Sequence, residues 1–481
     1  MEKNVLLDIV TYFKNMVLNS MGVERSLYKL IEDKDIPAAI GLMQNRDNEV
    51  DQAIQEYNPE THKVMSRPNK FRKGDDSYIT EKLPRSRQRY INEVELFFLL
   101  GNPILWNKKG GDDEAYRMFK QYLDEQRFDS VIRKAKRLAG AETESAILTH
   151  IYRDDNANDR RVKTLVLARS LGYSLRTLID QYGDMKAFAY GYKLRENGKS
   201  VQHWDIQTPE FLFYCRKGNL GWEVETFPNP TSKINIIYFA QPKAWAGAEP
   251  RLNREEMLDS KVGDTNNYFA DPIAAATADV ITSMVDAEKP GKLIQLSNGN
   301  SRFEYVNPPQ NSETRESEKK DLNDSILFDT FTPDFSYDNL KGLGSLSGEA
   351  LENALILGYI KRDNRKEIYG ELVDRYKNVV LAVLAYLHPD MSKKFLELEI
   401  TFEFAKPFAK DQQKQWSSIG QLYNDGLCSL ETAISMLALT DAPEDEIERI
   451  TSQQKTKQEN KIGFKNLQSE EGAGDGEEGE E

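Results

Sequence analysis

Ile368, Leu372, Val373, Tyr376, Val379, Val380, Val383, Leu384 and Leu387 recur at helical spacing over about five turns, until His388-Pro389 stops the run. A helix with that much apolar surface belongs in a core, so the rest of the chain must supply the elements that cover it. Gly358 and Gly370 mark the expected bends. The same helix holds the best candidate for a membrane span, and its nine unbroken apolar residues, 379–387, fall far short of the roughly 20 needed. No membrane partner is expected.

At 481 residues the chain is too long for one ordinary core, so several domains or one extended multi-part subunit are expected. The N-terminus, interrupted by Glu2, Lys3 and Asp8, lacks the pattern of a secretory signal. With only Cys215 and Cys428, neither a disulfide framework nor a cysteine-rich zinc site can be built. Synthesis in a reducing, cytoplasmic compartment is the expectation.

Periodicity divides the chain. Leu6, Ile9, Phe13 and Val17 give an N-terminal helical face, and residues 58–84 form a polar break. An apolar run over 93–100 ends at Gly101-Asn102-Pro103, and one helix is expected over 113–136. Residues 186–240 change to strand character, with Asn197-Gly198 as a hairpin turn, and read as an antiparallel meander inside a mainly helical protein. A helix over 249–269 ends before Asp271-Pro272. A strand pair, 292–296 with 303–306, turns at Asn298-Gly299-Asn300. A charged helix over 312–328 ends at Thr332-Pro333. Residues 334–348, rich in Gly, Ser and Asp, read as a mobile loop. A strand over 396–404 leads into three short helices, with Gly426 closing one, Ser429 capping the next, and a capping box at Asp441 and Glu444. The Gly/Glu-rich residues from 469 onward cannot bury enough surface to fold.

The formal charge is −14, yet seven carboxylates lie in the last twelve residues, so the total does not exclude nucleic acid. Residues 63–89 hold nine Lys or Arg against Asp75, Asp76 and Glu81, one basic segment whose simplest reading is a solvated loop face.

Catalytic signatures are missing. Gly342-Leu343-Gly344-Ser345-Leu346-Ser347-Gly348 lacks the lysine of a phosphate-binding loop and fits neither a dinucleotide fingerprint nor a nucleophile elbow. His62, His150, His203 and His388 have no second ligand at metal spacing, and the pairs Asp112-Asp113 and Asp154-Asp155 fix no two-metal geometry. No catalytic residue, metal or cofactor is expected.

The order of elements is helical part, sheet, helix, proline-bounded unit, second helix, Gly/Ser loop, long helix and helical end. This order resembles the portal proteins of tailed bacteriophages, the siphophage-type family, over roughly residues 85–449. Residues 85–90 with Gly101-Asn102-Pro103 are similar to the family's early wing motif. Residues 264–272 resemble its first stem helix and exit. Ser347-Gly348-Glu349-Ala350-Leu351 resembles the start of its long helix, and residues 400–404 with Pro407, Gly426 and Ser429-Leu430-Glu431-Thr432 resemble the strand and helix entry before the crown.

The resemblance implies an α+β, mainly helical portal-type subunit. Its parts would be a wing of helices plus antiparallel sheet (1–248), stem helices at 249–270 and 311–330, and a small α/β clip (271–310). A tunnel loop (331–347), a long bent channel helix (348–388), a wing return strand (389–407), a helical crown (408–468) and a disordered acidic tail (469–481) would follow. It implies a ring, usually of twelve copies, at one capsid vertex of the virion, assembled in the host cytoplasm. Double-stranded DNA would pass through it for packaging and ejection. Its implied partners are the terminase large subunit, the major capsid and scaffold proteins, and the head-tail adaptor. Asp338, Asn339, Lys341 and Ser345 would line the channel, and Lys319 and Lys320 are stem residues that could face the duplex. A helical head-assembly scaffold or adaptor without DNA contact is the alternative, and a DNA-processing enzyme ranks below it.

Overall fold

The computed structural model describes residues 23–71, 77–153, 160–196, 198–270, 274–276, 303–305, 312–343, 348–407, 412–437 and 446–453. The chain divides into two compact units: residues 1–344 with 353–407, and residues 345–352 with 408–481. The fold is mixed helix and antiparallel sheet.

The first unit is built around the helix Ile356–Leu387. Val379, Val380, Leu381, Ala382, Val383, Leu384 and Ala385 are buried in succession, which an α-helix achieves only when neighbours cover it on every side. Those neighbours are the helices Arg87–Leu100, Asp113–Glu125 and Phe128–Glu142, together with the strand pair Ile104–Gly110 and Glu399–Phe404. Phe128 stacks on Tyr376 at 4.5 Å between ring centroids. The amide of His388 still donates to Leu384, and the helix stops there, as Pro389 requires.

The helix runs unbroken past both of its glycines, and the interruption lies at Leu355, after a short helix Gly348–Ala354. Gly358 has a different use. A Cβ there would lie 2.3 Å from the ring of Phe98, so the missing side chain is what lets the two helices approach.

The strands begin earlier than their periodicity suggests. Glu144–Arg153 and Arg160–Leu167 join Ile236–Ala240 in a three-stranded sheet, so Ile236–Ala240 lies outside the meander. The meander is a separate five-stranded sheet of Ser174–Ile179, Met185–Glu196, Lys199–Gln207, Phe211–Gly218 and Gly221–Pro228, all antiparallel. Its hairpin turns at Gly198, φ +79°, where the expected tight turn needs positive φ. The strand residues 144–153 are buried on both faces at their start, which erases the alternation that would have revealed them. The single helix expected over 113–136 is two, parted where Arg127 takes a left-handed conformation, φ +50°.

Phe303–Tyr305 is a strand, paired with Ala274–Ala276, while the expected partner at 292–296 lies outside the described residues. So do the helical face at 6–17, the capping box at 441–444 and the acidic tail. In the second unit, Gln412–Asn424 ends near Gly426, φ +70°, and Ser429 caps Leu430–Leu437 by accepting the Thr432 amide at 3.1 Å. Among the described residues no helix is long and apolar enough to cross a membrane.

Gly358→Ala is expected to destabilise the protein by about 1–3 kcal/mol through overpacking against Phe98, although alanine is the better helix former. Gly370→Ala, with open space around the added methyl, should be neutral or stabilising by up to about 1 kcal/mol. Urea denaturation of the two variants checks the contrast.

Candidate functional site

The helices Glu249–Ala270 and Ser312–Asp329 run antiparallel. Three ion pairs join the first half of Glu249–Ala270 to the second helix: Arg251 with Asp329, Arg254 with Glu318 at 2.6 Å, and Lys319 with Asp259 at 2.9 Å.

An extended strap, residues 81–85, lies along the first of these helices. The amides of Glu81, Leu83 and Arg85 donate to Asp264, Ser260 and Glu256 at 2.7, 2.9 and 2.9 Å. Two residues of extended chain advance about 6.7 Å and four residues of helix about 6 Å, so alternate amides meet every fourth helix residue. Pro84, which has no N–H, falls between two of the donors. Side chains of the basic segment complete the attachment. Arg67 pairs with Asp264 at 2.7 Å, Arg85 with Asp259 and with Glu255, Arg87 with Glu255 at 3.0 Å, and buried His62 with Glu256 at 2.6 Å. Arg67, Arg85 and Arg87, three of the nine cations in residues 63–89, are therefore paired within the subunit.

The chain leaves Ser312–Asp329 through a Schellman turn: the Thr332 amide donates to Leu327 at 2.8 Å and the Phe331 amide to Phe328 at 3.1 Å. Phe331 takes the left-handed position, φ +48°, where glycine is usual, a conformation that must be held by its surroundings. Those surroundings are firm. Thr330 and Thr332 are buried, and their hydroxyls lie 2.9 Å apart. The Tyr90 hydroxyl donates to the Pro333 carbonyl at 2.7 Å and accepts the Phe335 amide at 2.8 Å. The ring of Phe98 stacks on Phe335 at 6.3 Å.

Beyond Phe335 the exposure rises. The stretch expected to be a loop forms a short helix, Tyr337–Leu343. Asp334 starts it by accepting the Ser336 amide at 2.8 Å and the Asn339 side-chain amide at 3.0 Å. The Lys341 ammonium lies 4.5 Å from the centre of the Tyr337 ring, one turn earlier, and Tyr337 and Leu340 point to solvent. Local side-chain bonding of this kind offsets the weak helix propensity of the Gly, Ser and Asp content.

Behind this segment lies a buried charge centre. Glu95 is fully buried and meets Lys136 at 2.5 Å, Arg365 at 3.0 Å and Lys361 at 3.5 Å. Gln241 also donates to Glu95, at 3.3 Å, and accepts the Tyr369 hydroxyl at 2.8 Å. Burial opposes ionisation of Glu95, but Lys136, Lys361 and Arg365 together hold its carboxyl well below the usual range. With three cations sharing one carboxylate, burial lowers both lysines, Lys361 to about 8. Lys361 also donates to Thr332 Oγ1 at 3.3 Å, which links the charge centre to the base of the exposed segment.

The structure brings Asp338, Asn339 and Lys341 together on that short helix, while Ser345 lies outside the described residues. Lys319 and Lys320 stand apart from them on Ser312–Asp329, both exposed, with Lys319 turned to Asp259. Sequence reasoning missed Tyr90, Glu95, Lys361 and Thr332. A carboxylate inside the apolar run 93–100, and a lysine and two arginines near the start of the long helix, were the available signal.

What these elements define is an exposed segment whose base is bonded into the buried part of the first unit. The chain belongs to the phage portal protein family described as SPP1 Gp6-like, whose family model matches residues 43–460. Solved structures similar to it include the neck of a native GTA particle computed with C12 symmetry (12% identity, 74% of this chain and 91% of that chain covered, TM-score 0.40). Another is the neck of an empty GTA particle computed with C6 symmetry (13% identity, 74% and 89% covered, TM-score 0.41). No curated protein matches the chain in sequence.

Glu95→Gln would leave Lys136, Lys361 and Arg365 buried without a counter-charge, and should cost about 3–5 kcal/mol. Lys361→Met removes the surplus cation and should cost well under half as much. Chemical denaturation at pH 7 separates the two outcomes.

Proposed function

We propose that this chain assembles head to tail into the closed ring of a phage portal, twelve copies in the family expectation, at one vertex of the capsid. The observation that carries the reading is the family match over residues 43–460, which spans the charge centre, both antiparallel helices and the exposed segment. Head-to-tail closure needs two different surfaces on each subunit, and a chain with 30% charged residues suits such polar contacts.

In this reading the helices Glu249–Ala270 and Ser312–Asp329 form the stem, and residues 271–310 form the clip that meets first the terminase large subunit and then the head-tail adaptor. Residues 331–347 line the channel through which double-stranded DNA is packaged and ejected, with Asp338, Asn339, Lys341 and Ser345 nearest the duplex. DNA must slide, and each phosphate neutralised adds a salt-dependent grip. A segment whose one cation, Lys341, stands beside Asp334 and Asp338 and over the Tyr337 ring is suited to weak contact. Of the stem lysines, Lys319 is held by Asp259, which makes Lys320 the better candidate to face DNA. The subunit supplies no chemistry of its own, and assembly takes place in the host cytoplasm with scaffold and major capsid protein.

Native mass measurement with negative-stain imaging at moderate salt should give closed rings with an axial hole. In heads assembled with scaffold, Lys341→Glu or removal of residues 337–343 should lower packaged DNA while ring formation persists. Intact packaging with both variants would favour a scaffold or adaptor without DNA contact.

A further inference from the structure

Burial along residues 330–343 changes abruptly. Thr330 and Thr332 are 5% and 1% exposed, whereas Tyr337 is 74% exposed and Leu340 is 47%. The buried side of the change is where side chains of the core reach the backbone. Thr332 is reached by Lys361, Pro333 and Phe335 by the Tyr90 hydroxyl, and Phe335 by the Phe98 ring. Tyr90 belongs to the helix Arg87–Leu100, which also carries Glu95, so both attachments return to the buried charge centre.

A single hydroxyl that donates to one carbonyl and accepts an amide two residues further on uses both of its hydrogen-bonding functions on the same piece of backbone. It fixes the direction of the chain there, and not only its position. The left-handed Phe331 just before it is not a glycine, and its conformation is held by its neighbours: the Thr330 and Thr332 hydroxyls meet across it, and the Thr332 hydroxyl donates to the Thr330 carbonyl at 3.2 Å.

We propose that Tyr90 and Lys361 are positioning residues that clamp residues 332–335, so that the exposed helix Tyr337–Leu343, joined to this base through the bonds of Asp334 to Ser336 and Asn339, keeps one direction relative to the subunit core. This inference rests on the channel reading only for its consequence, which is that each subunit of the ring presents its short helix at the same depth. The clamp itself is a property of the single chain.

The test is amide hydrogen exchange on assembled full-length protein carrying Tyr90→Phe or Lys361→Met, together with the DNA content of heads built from the same proteins. In Tyr90→Phe the Phe335 amide loses its acceptor, and exchange over residues 333–343 should quicken by about tenfold or more while residues 373–385 keep their protection. Lys361→Met should act in the same direction and more weakly, and heads made with Tyr90→Phe should hold less DNA. Unchanged exchange over 333–343 in both variants would overturn the clamp and leave the channel reading untouched. A general loss of protection that includes 373–385 in both variants would also overturn it, by showing Tyr90 and Lys361 to be core residues only. Faster exchange over 333–343 with unchanged DNA content would uphold the clamp and count against the channel reading instead.

Discussion

Glu95 is one buried carboxylate shared by Lys136, Lys361 and Arg365, and it joins three helices of the first unit. The four groups come from three helices, Arg87–Leu100, Phe128–Glu142 and Ile356–Leu387, which are far apart in sequence. Isolated charges in an apolar core cost several kcal/mol each, so any arrangement of these helices that separates the four is strongly disfavoured. The apolar contacts around Tyr376 and Val380 supply the greater part of the stabilisation, but contacts of that type tolerate sliding. The charge centre does not, and it fixes the register of the long helix against its neighbours.

From that register the rest follows outward. Phe98 meets Gly358 and Phe335, Tyr90 meets Pro333 and Phe335, and Lys361 meets Thr332. The helix Ser312–Asp329 is thereby tied to the core at its end, and to Glu249–Ala270 by ion pairs. That second helix is held in turn by the strap at residues 81–85.

Much of this order was legible in the sequence. The long helix and its stop at His388-Pro389, the Gly198 hairpin, the two antiparallel helices and the Ser429 cap are local signals with local causes, and each stands where it was expected. The strands at Glu144–Arg153 and Arg160–Leu167 were not legible, because one is buried on both faces and reads as a plain apolar run. The helix Tyr337–Leu343 was hidden for the opposite reason: its composition favours a loop, and side-chain bonds from Asp334 and the Tyr337–Lys341 pair reverse that preference. The charge centre and the strap were out of reach because they join residues from separate elements, 41 positions apart for Glu95 and Lys136 and more than 150 for Arg365 and the strap, and no spacing within one segment records them. The basic segment misled in the same way, since its partners Glu255, Asp259 and Asp264 lie in a helix read separately.

In the proposed ring, an anchored subunit core presents residues 337–343 to the axis. A reconstruction of the assembled oligomer at side-chain resolution tests it most directly. The expected result is a closed ring whose channel is narrowest at Asp338, Asn339 and Lys341, with Tyr90 still bonded to Pro333 and Phe335 in every subunit. A ring with residues 337–343 on its outer perimeter, or an oligomer with no axial channel, would contradict it.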